Sequence, residues 1–255
     1  TGTYFFDKET NTIAKGVGSI KGVSAALGDE LYEFSKRIHT DSFSELLMEM
    51  YAQCKGINRA KITTLIRLDY FRNYGNAPTL EKIYSTMDEI GVLKERKSLP
   101  ATLTANAEFM KIAEPYVDRY TKTGKLAKNA AIKDRAGLIR AVEKHIRSLN
   151  IQDYDTRIKL KMQMEYIGYI LPTNEASDRK KLYVEKVQRL KSKSTGKVWA
   201  YVLNTISIGT GKAGRLTLRK WRYDTSPVKE KDVIYVNQII KDKKGYWNLM
   251  EYVHI

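Results

Sequence analysis

Cysteine is almost missing from this chain. Cys54 stands alone among 255 residues, which excludes an internal disulfide and suits a reducing, cytoplasmic setting. The three histidines, at positions 39, 145 and 254, are scattered and form no metal-ligand spacing with that one thiol, so neither a metal nor any other cofactor is expected. No apolar run reaches the roughly 20 residues that span a bilayer, and the N-terminus lacks a signal-peptide pattern, so no membrane partner is expected. An opening methionine is missing too. Thr1-Gly2-Thr3 leads straight into strand-like Tyr4-Phe5-Phe6, as in a piece of a longer polypeptide.

Catalytic patterns are equally scarce. There is no Ser-His-Asp grouping, no P-loop and no histidine-rich phosphoesterase signature. Asp153 and Asp155 make a D-x-D, but in a polar stretch without glycine-rich or strand context. They read as a helix cap or surface pair rather than as ligands for two metal ions. No residue is assigned a catalytic role.

What is present is positive charge. The net charge is +16, which favours an anionic partner such as nucleic acid. From Tyr166 onward, 18 lysines and arginines face 8 aspartates and glutamates, against 27 and 21 in the first 165 residues, so the excess concentrates in the C-terminal third. Hydrophobic residues at 42%, with 17 tyrosines, supply enough material for one large or two smaller cores.

The most informative stretch is Asn11 to Ser35. Two glycine corners, Lys15-Gly16-Val17-Gly18 and Ile20-Lys21-Gly22-Val23-Ser24, open into a run where Val23, Leu27, Leu31 and Phe34 recur at helical spacing. Glycine lets a backbone approach closely, and amides at the following helix start can donate to phosphate. Lys15 and Lys21 add charge. This corner resembles a helix-hairpin-helix, which grips nucleic-acid backbone without reading bases; Ser24 stands where that motif usually has a second glycine. A plain strand-to-helix turn is the alternative.

A second unit follows. Thr40 to Glu45 is a capping-type start for a helix carrying Leu46, Leu47 and Met50. Asn58 can cap another, with Ile62, Leu65 and Ile66 as its apolar face and Tyr70, Phe71 and Tyr74 packing behind it. Taken together, Gly16 to Val23 and Ile57 to Gly75 resemble consecutive blocks of the α subunit of bacterial DNA polymerase III, the C-family replicases. Asp69 stands where that family often has glycine. Glu165 to Tyr169 is similar to the passage joining that family's helical region to its oligonucleotide-binding (OB) barrel. Between these blocks the chain reads as basic and helical. Asp134 to Leu149 is an amphipathic helix with Leu138, Ile139, Val142 and Ile146 inward and Arg135, Arg140, Lys144 and Arg147 outward. That face either follows phosphates or is simply solvated.

After the linker at Leu171 to Asn174, strand-like runs appear at 182–190, 197–207, 215–223, 232–239 and 246–254, separated by turn signals. Five short strands suggest an OB-type barrel. Alternation places Thr217, Arg219, Trp221 and Tyr223 on one face of the third strand, and Trp199 and Tyr201 together on the second. Cations interleaved with aromatics form a platform for single strands, with Lys191, Lys193, Lys197 and Lys212 lining the backbone's path from adjoining loops. Trp199 and Trp221 serve equally well as core residues.

The expected fold is therefore α+β: an all-helical helix-hairpin-helix region over 1–76, a basic helical middle over 77–170 and an OB-type barrel over 171–255. The resemblance implies the non-catalytic, DNA-binding part of a replicative polymerase. Its hairpin (Lys15, Gly16, Val17, Gly18, Lys21, Gly22, Val23, Ser24) would hold double-stranded DNA. Its barrel would take single-stranded DNA or, alternatively, dock a replisome accessory subunit.

Overall fold

The computed structural model describes residues 4–7, 12–121 and 123–255. Thr1, Gly2, Thr3 and Asn11, invoked above, lie outside them. The chain forms two compact units, divided between Tyr154 and Asp155.

The first unit opens with antiparallel β1 (Tyr4–Asp7) and β2 (Thr12–Lys15). Four helices follow: α1 (Ala25–Arg37), α2 (Phe43–Gln53), α3 (Arg59–Arg67) and α4 (Ala77–Ile90). Short α5 (Ala101–Thr104) and α6 (Ala107–Ala113) lead to a second antiparallel ribbon, β3 (Val117–Tyr120) and β4 (Leu126–Ile132), and then to α7 (Arg135–Ser148). Helix starts are marked by side chains that relieve unpaired amides. Ser24, Ser42, Asn58, Asn76, Asn106 and Asp134 each accept a hydrogen bond from the amide three residues on. Asn58 and the Ser42 region cap as the sequence suggests.

One apolar core runs from Val23 and Leu27 through Phe43, Leu65 and Ile83 to Leu138 and Ile146, without a break near residue 76. Phe71 and Tyr74 pack edge-on or tilted against Phe43, with ring centroids 5.3 and 6.0 Å apart, and so belong to this core. A buried carboxylate ties its helices together. Glu143 of α7 accepts hydrogen bonds from Ser42 Oγ (2.8 Å) and from the amides of Phe43 (3.2 Å) and Ser44 (3.0 Å), the first turn of α2. It also pairs with Arg147, whose other nitrogen donates to the Tyr74 carbonyl at 2.8 Å.

Two expectations need correction: the all-helical region over 1–76 contains the β1–β2 ribbon, and the helical middle over 77–170 contains β3–β4. β3–β4 escapes a pattern search because tertiary pairing holds it. The Leu99 amide donates to the Ala130 carbonyl (2.8 Å) and the Ile132 amide to that of Lys97 (2.8 Å), while Val117 and Ala130 sink into the core.

The second unit starts with α8 (Thr156–Tyr166), capped by Asp155, whose Oδ1 accepts from the Ile158 amide at 2.8 Å. Its barrel comprises β5 (Lys181–Lys191), β6 (Val198–Ser207), β7 (Ala213–Arg219), β8 (Val233–Lys241) and β9 (Trp247–His254), with α9 (Lys220–Thr225) between β7 and β8. The barrel closes in the order β5-β6-β7-β9-β8, with β8 returning to β5. Neighbours are antiparallel except for β7 and β9. A closed five-stranded barrel of this order is compatible with an OB-type fold. Val184, Leu203, Leu216, Leu218, Ile234 and Leu249 fill it. Outside, Leu160 of α8 and Ile170 pack with Tyr183, Ile208 and Val233, so the segment from Asp155 to Ile170 belongs with the barrel.

The third strand is shorter than its alternation suggests. It ends at Arg219, and the next residues wind into α9, where Lys220 pairs with Asp224 one turn on. Trp221 and Tyr223 are therefore helical and do not continue the β7 face.

Candidate nucleic-acid interface

Register determines what the barrel presents. Across an antiparallel pair, directly opposed residues share a face. Leu203 opposes Val187 and Leu216, and all three point inward. The outward rows follow. Lys186 of β5, Asn204 of β6 and Arg215 of β7 form one; Gln188, Val202 and Thr217 form the next, extended by Asn248 of β9; Leu190, Ala200 and Arg219 form the third. The centre line of Ala200, Val202 and Asn204 is low, while Lys186, Arg215 and Arg219 are exposed around it. The result is a shallow sheet face with cations on both flanks.

The aromatic groups sort into two kinds. Trp199, near the start of β6, is 43% exposed, with the Arg219 guanidinium 5.1 Å from its ring centroid. Trp221 is 62% exposed and sits under Arg222 at 4.7 Å. Neither is a core residue. Tyr201 is instead buried and stacked on Tyr223 at 3.6 Å, with an interplanar angle of 13°. That pair plugs the barrel beside α9 and its facing rings have no room for a base. Burial also pushes the Tyr223 phenol up.

The loop lysines do not converge on one place. Lys191, Lys193 and Lys197 cluster at the β5–β6 hairpin, closed by the Ser192 amide donating to the Lys197 carbonyl at 2.8 Å. Lys212 lies at the opposite end of β6 and β7. Sequence reasoning missed Lys186, Gln188, Asn204, Arg215 and Asn248. Arg215 shares the alternation of Thr217 and Arg219 and was readable. Lys186 was not, since a bulge at Glu185 shifts the register of β5.

At the glycine corner, Val17–Ser19 form a single 3-10 turn between β2 and α1. The Ser19 amide and hydroxyl both donate to the Gly16 carbonyl, at 2.9 and 2.7 Å. Val17 and Ile20 pack on the core and Val23 is buried, whereas Lys15, Lys21, Gly22 and Ser24 are exposed. Gly22 has φ +84° and open space where a Cβ would stand, so conformation and not crowding demands glycine. Gly16 and Gly18 need no such conformation. Ser24, the departure from the motif, caps α1 by accepting from the Leu27 amide at 3.2 Å. One 3-10 turn thus occupies the place of a first helix.

Among the described residues, no group of three or more His, Cys, Asp or Glu side chains could hold a metal ion, and no helix is long and apolar enough to cross a membrane. Cys54 is buried, which pushes its thiol up and away from nucleophilic use. Asp155 is occupied as a helix cap. The chain matches no family model, and no curated protein matches it.

Proposed function

We propose that this chain is a non-catalytic nucleic-acid-binding part of a C-family replicative DNA polymerase, with the barrel holding single-stranded DNA and the glycine corner holding duplex backbone. The observation that carries this reading is the outward face of β5, β6 and β7. Its long cations flank a low centre where a strand can lie, with Trp199 beside it for stacking. The exposed corner at Lys21 to Ser24 and the basic charge support the same reading. So does Asp69. It adopts φ +56°, a left-handed conformation suited to the glycine that the polymerase family often has there.

The test is fluorescence anisotropy of the whole chain with a labelled oligo(dT), from low to physiological salt. Each single-strand phosphate neutralised adds about 0.7 to the slope of log affinity against log salt. The double variant Arg215→Ala/Arg219→Ala is therefore expected to lower the slope by ~1.4. Trp199→Ala is expected to cost about 1–3 kcal/mol of stacking. Salt-independent binding, or unchanged binding by a folded double variant, refutes the reading.

The protein-docking alternative has one observation in its favour. Ile239, Ile240, Tyr246 and Trp247 are exposed at the β8–β9 hairpin, with Ile239 and Trp247 on one face and Ile240 on the other. If accessory-subunit docking is the barrel's task, Ile239→Ala/Trp247→Ala abolishes capture of that subunit while the Arg215/Arg219 variant does not.

A further inference from the structure

The β3–β4 ribbon and the adjoining outward face of α7 carry charge that neither the fold nor the barrel reading uses. Between Val117 and Ser148 there are nine lysines and arginines and three acids. Two of those acids are committed internally: Asp134 caps α7 by accepting from the Gly137 amide, and Glu143 is buried against α2. Lys128, Arg140 and Lys144 are exposed and hold no ion pair among the described residues. Arg140 and Lys144 are one turn apart on α7 and line a cleft of about 470 Å³ with Tyr116 and His145. Near the ribbon's tip, Tyr120 and Leu126 are paired across the strands, so they share a face, and each is 62% exposed. Lys128, two residues beyond Leu126, is exposed where the register of the ribbon is interrupted between Asp118 and Tyr120.

We infer that this ribbon and helix face form a separate docking surface for duplex nucleic acid, with the ribbon in a groove and Lys128, Arg140 and Lys144 on flanking phosphates. A duplex is preferred over a single strand on shape. The major groove, about 12 Å wide, admits a two-stranded ribbon, whereas a single strand needs a recess lined by stacking rings. Tyr120 and Leu126 supply apolar contact with the groove; phosphate contacts set the affinity.

The experiment uses the whole chain and a labelled 20-base-pair duplex of mixed sequence, with oligo(dT) measured in parallel. The triple variant Lys128→Ala/Arg140→Ala/Lys144→Ala removes only exposed side chains. It is expected to weaken duplex binding at least tenfold near physiological salt and to lower the salt slope by ~2.7, about 0.9 per phosphate, while oligo(dT) affinity stays within twofold. Tyr120→Ala/Leu126→Ala is expected to weaken duplex binding with the slope unchanged. Duplex affinity and slope unaltered in a triple variant of unchanged circular dichroism overturn the inference, as does an equal loss for both probes. Oligo(dT) binding that vanishes only in the Arg215/Arg219 variant bears on the barrel alone, so the two readings fail separately.

Discussion

Glu143 is where a single substitution should cost the first unit most. Its side chain is 7% exposed and accepts from Ser42 Oγ and the Phe43 and Ser44 amides while pairing with Arg147. Glu143→Ala leaves two amides at the start of α2 without an acceptor beside fully buried Phe43, at about 1–3 kcal/mol each. Arg147 is 36% exposed and recovers part of its hydration, so the total belongs near the lower end of the ~3–5 kcal/mol seen when a buried pair loses one partner. The assay has an internal control, because Trp199, Trp221 and Trp247 all lie in the second unit. In a guanidinium titration, helical circular dichroism should lose about 3 kcal/mol of stability while the tryptophan transition stays in place. A pH series adds a second readout. Burial pushes the Glu143 carboxyl up, but hydrogen bonds from Ser44, Arg147 and Ser42 outweigh it and hold the group below its ordinary value. A carboxyl depressed in the folded state contributes stability above its unfolded pKa of about 4.3 and loses it as pH falls through the folded value. The variant's helical stability should therefore change less between pH 5 and pH 2 than that of the parent. A loss below 1 kcal/mol, or an identical acid profile, refutes the reasoning.

Two further predictions concern the barrel. A Cβ at Gly209 would stand 2.7 Å from the Arg179 amide nitrogen and 2.8 Å from the Asp178 carbonyl carbon, backbone atoms that cannot swing away. Gly209→Ala is expected to cost about 1–3 kcal/mol in the tryptophan transition, and an unchanged midpoint would show that the backbones separate freely. Asp178 pairs with Lys181 at 2.7 Å and accepts from Thr173 Oγ1 at 2.8 Å; the lysine first, then the threonine, hold its carboxyl below the ordinary value. Its contribution is thus present above about pH 3.9 and lost as pH falls through the lower folded value. Asp178→Asn should lower barrel stability at pH 7 and flatten its acid limb, measured by tryptophan fluorescence across pH.

Local signals in the sequence carried most of the helices and the five barrel strands, because each rests on chemistry within a few residues. Asn58 capping α3 and Leu138, Ile139, Val142 and Ile146 facing inward on α7 are of this kind. What required the folded chain was pairing between distant segments. β4 is a strand because residues 97–99 hydrogen-bond to it, and its own alanine-rich sequence, with the single lysine Lys128, gives no clear alternation. The β7 face was projected too far, since Thr217 to Tyr223 alternates in sequence although a helical turn begins at Lys220. For the candidate site, the cation-and-aromatic composition was legible in Arg219 and Trp199. The position of Tyr201 was not: its ring faces Tyr223 across a turn whose direction only the barrel decides.

For the proposed reading, the placement of charge matters more than its amount. Cations that serve the fold are spent on internal acceptors, as Arg147 is on Glu143 and the Tyr74 carbonyl, or Lys181 on Asp178. Lys186, Arg215 and Arg219 differ: they flank one sheet face, hold no ion pair among the described residues and are separated by the uncharged Asn204 and Ala200 rather than by carboxylates. Like charges gathered on one face raise the free energy of the compact state by mutual repulsion, modestly at physiological salt and more at low salt. Apart from the contact of Arg219 over the Trp199 ring, these cations have no intramolecular ion pair among the described residues to offset that repulsion. In the proposed reading the face would become favourable when a polyanion took the place of the counterions, lying along the low line of Ala200 and Val202 between the cations.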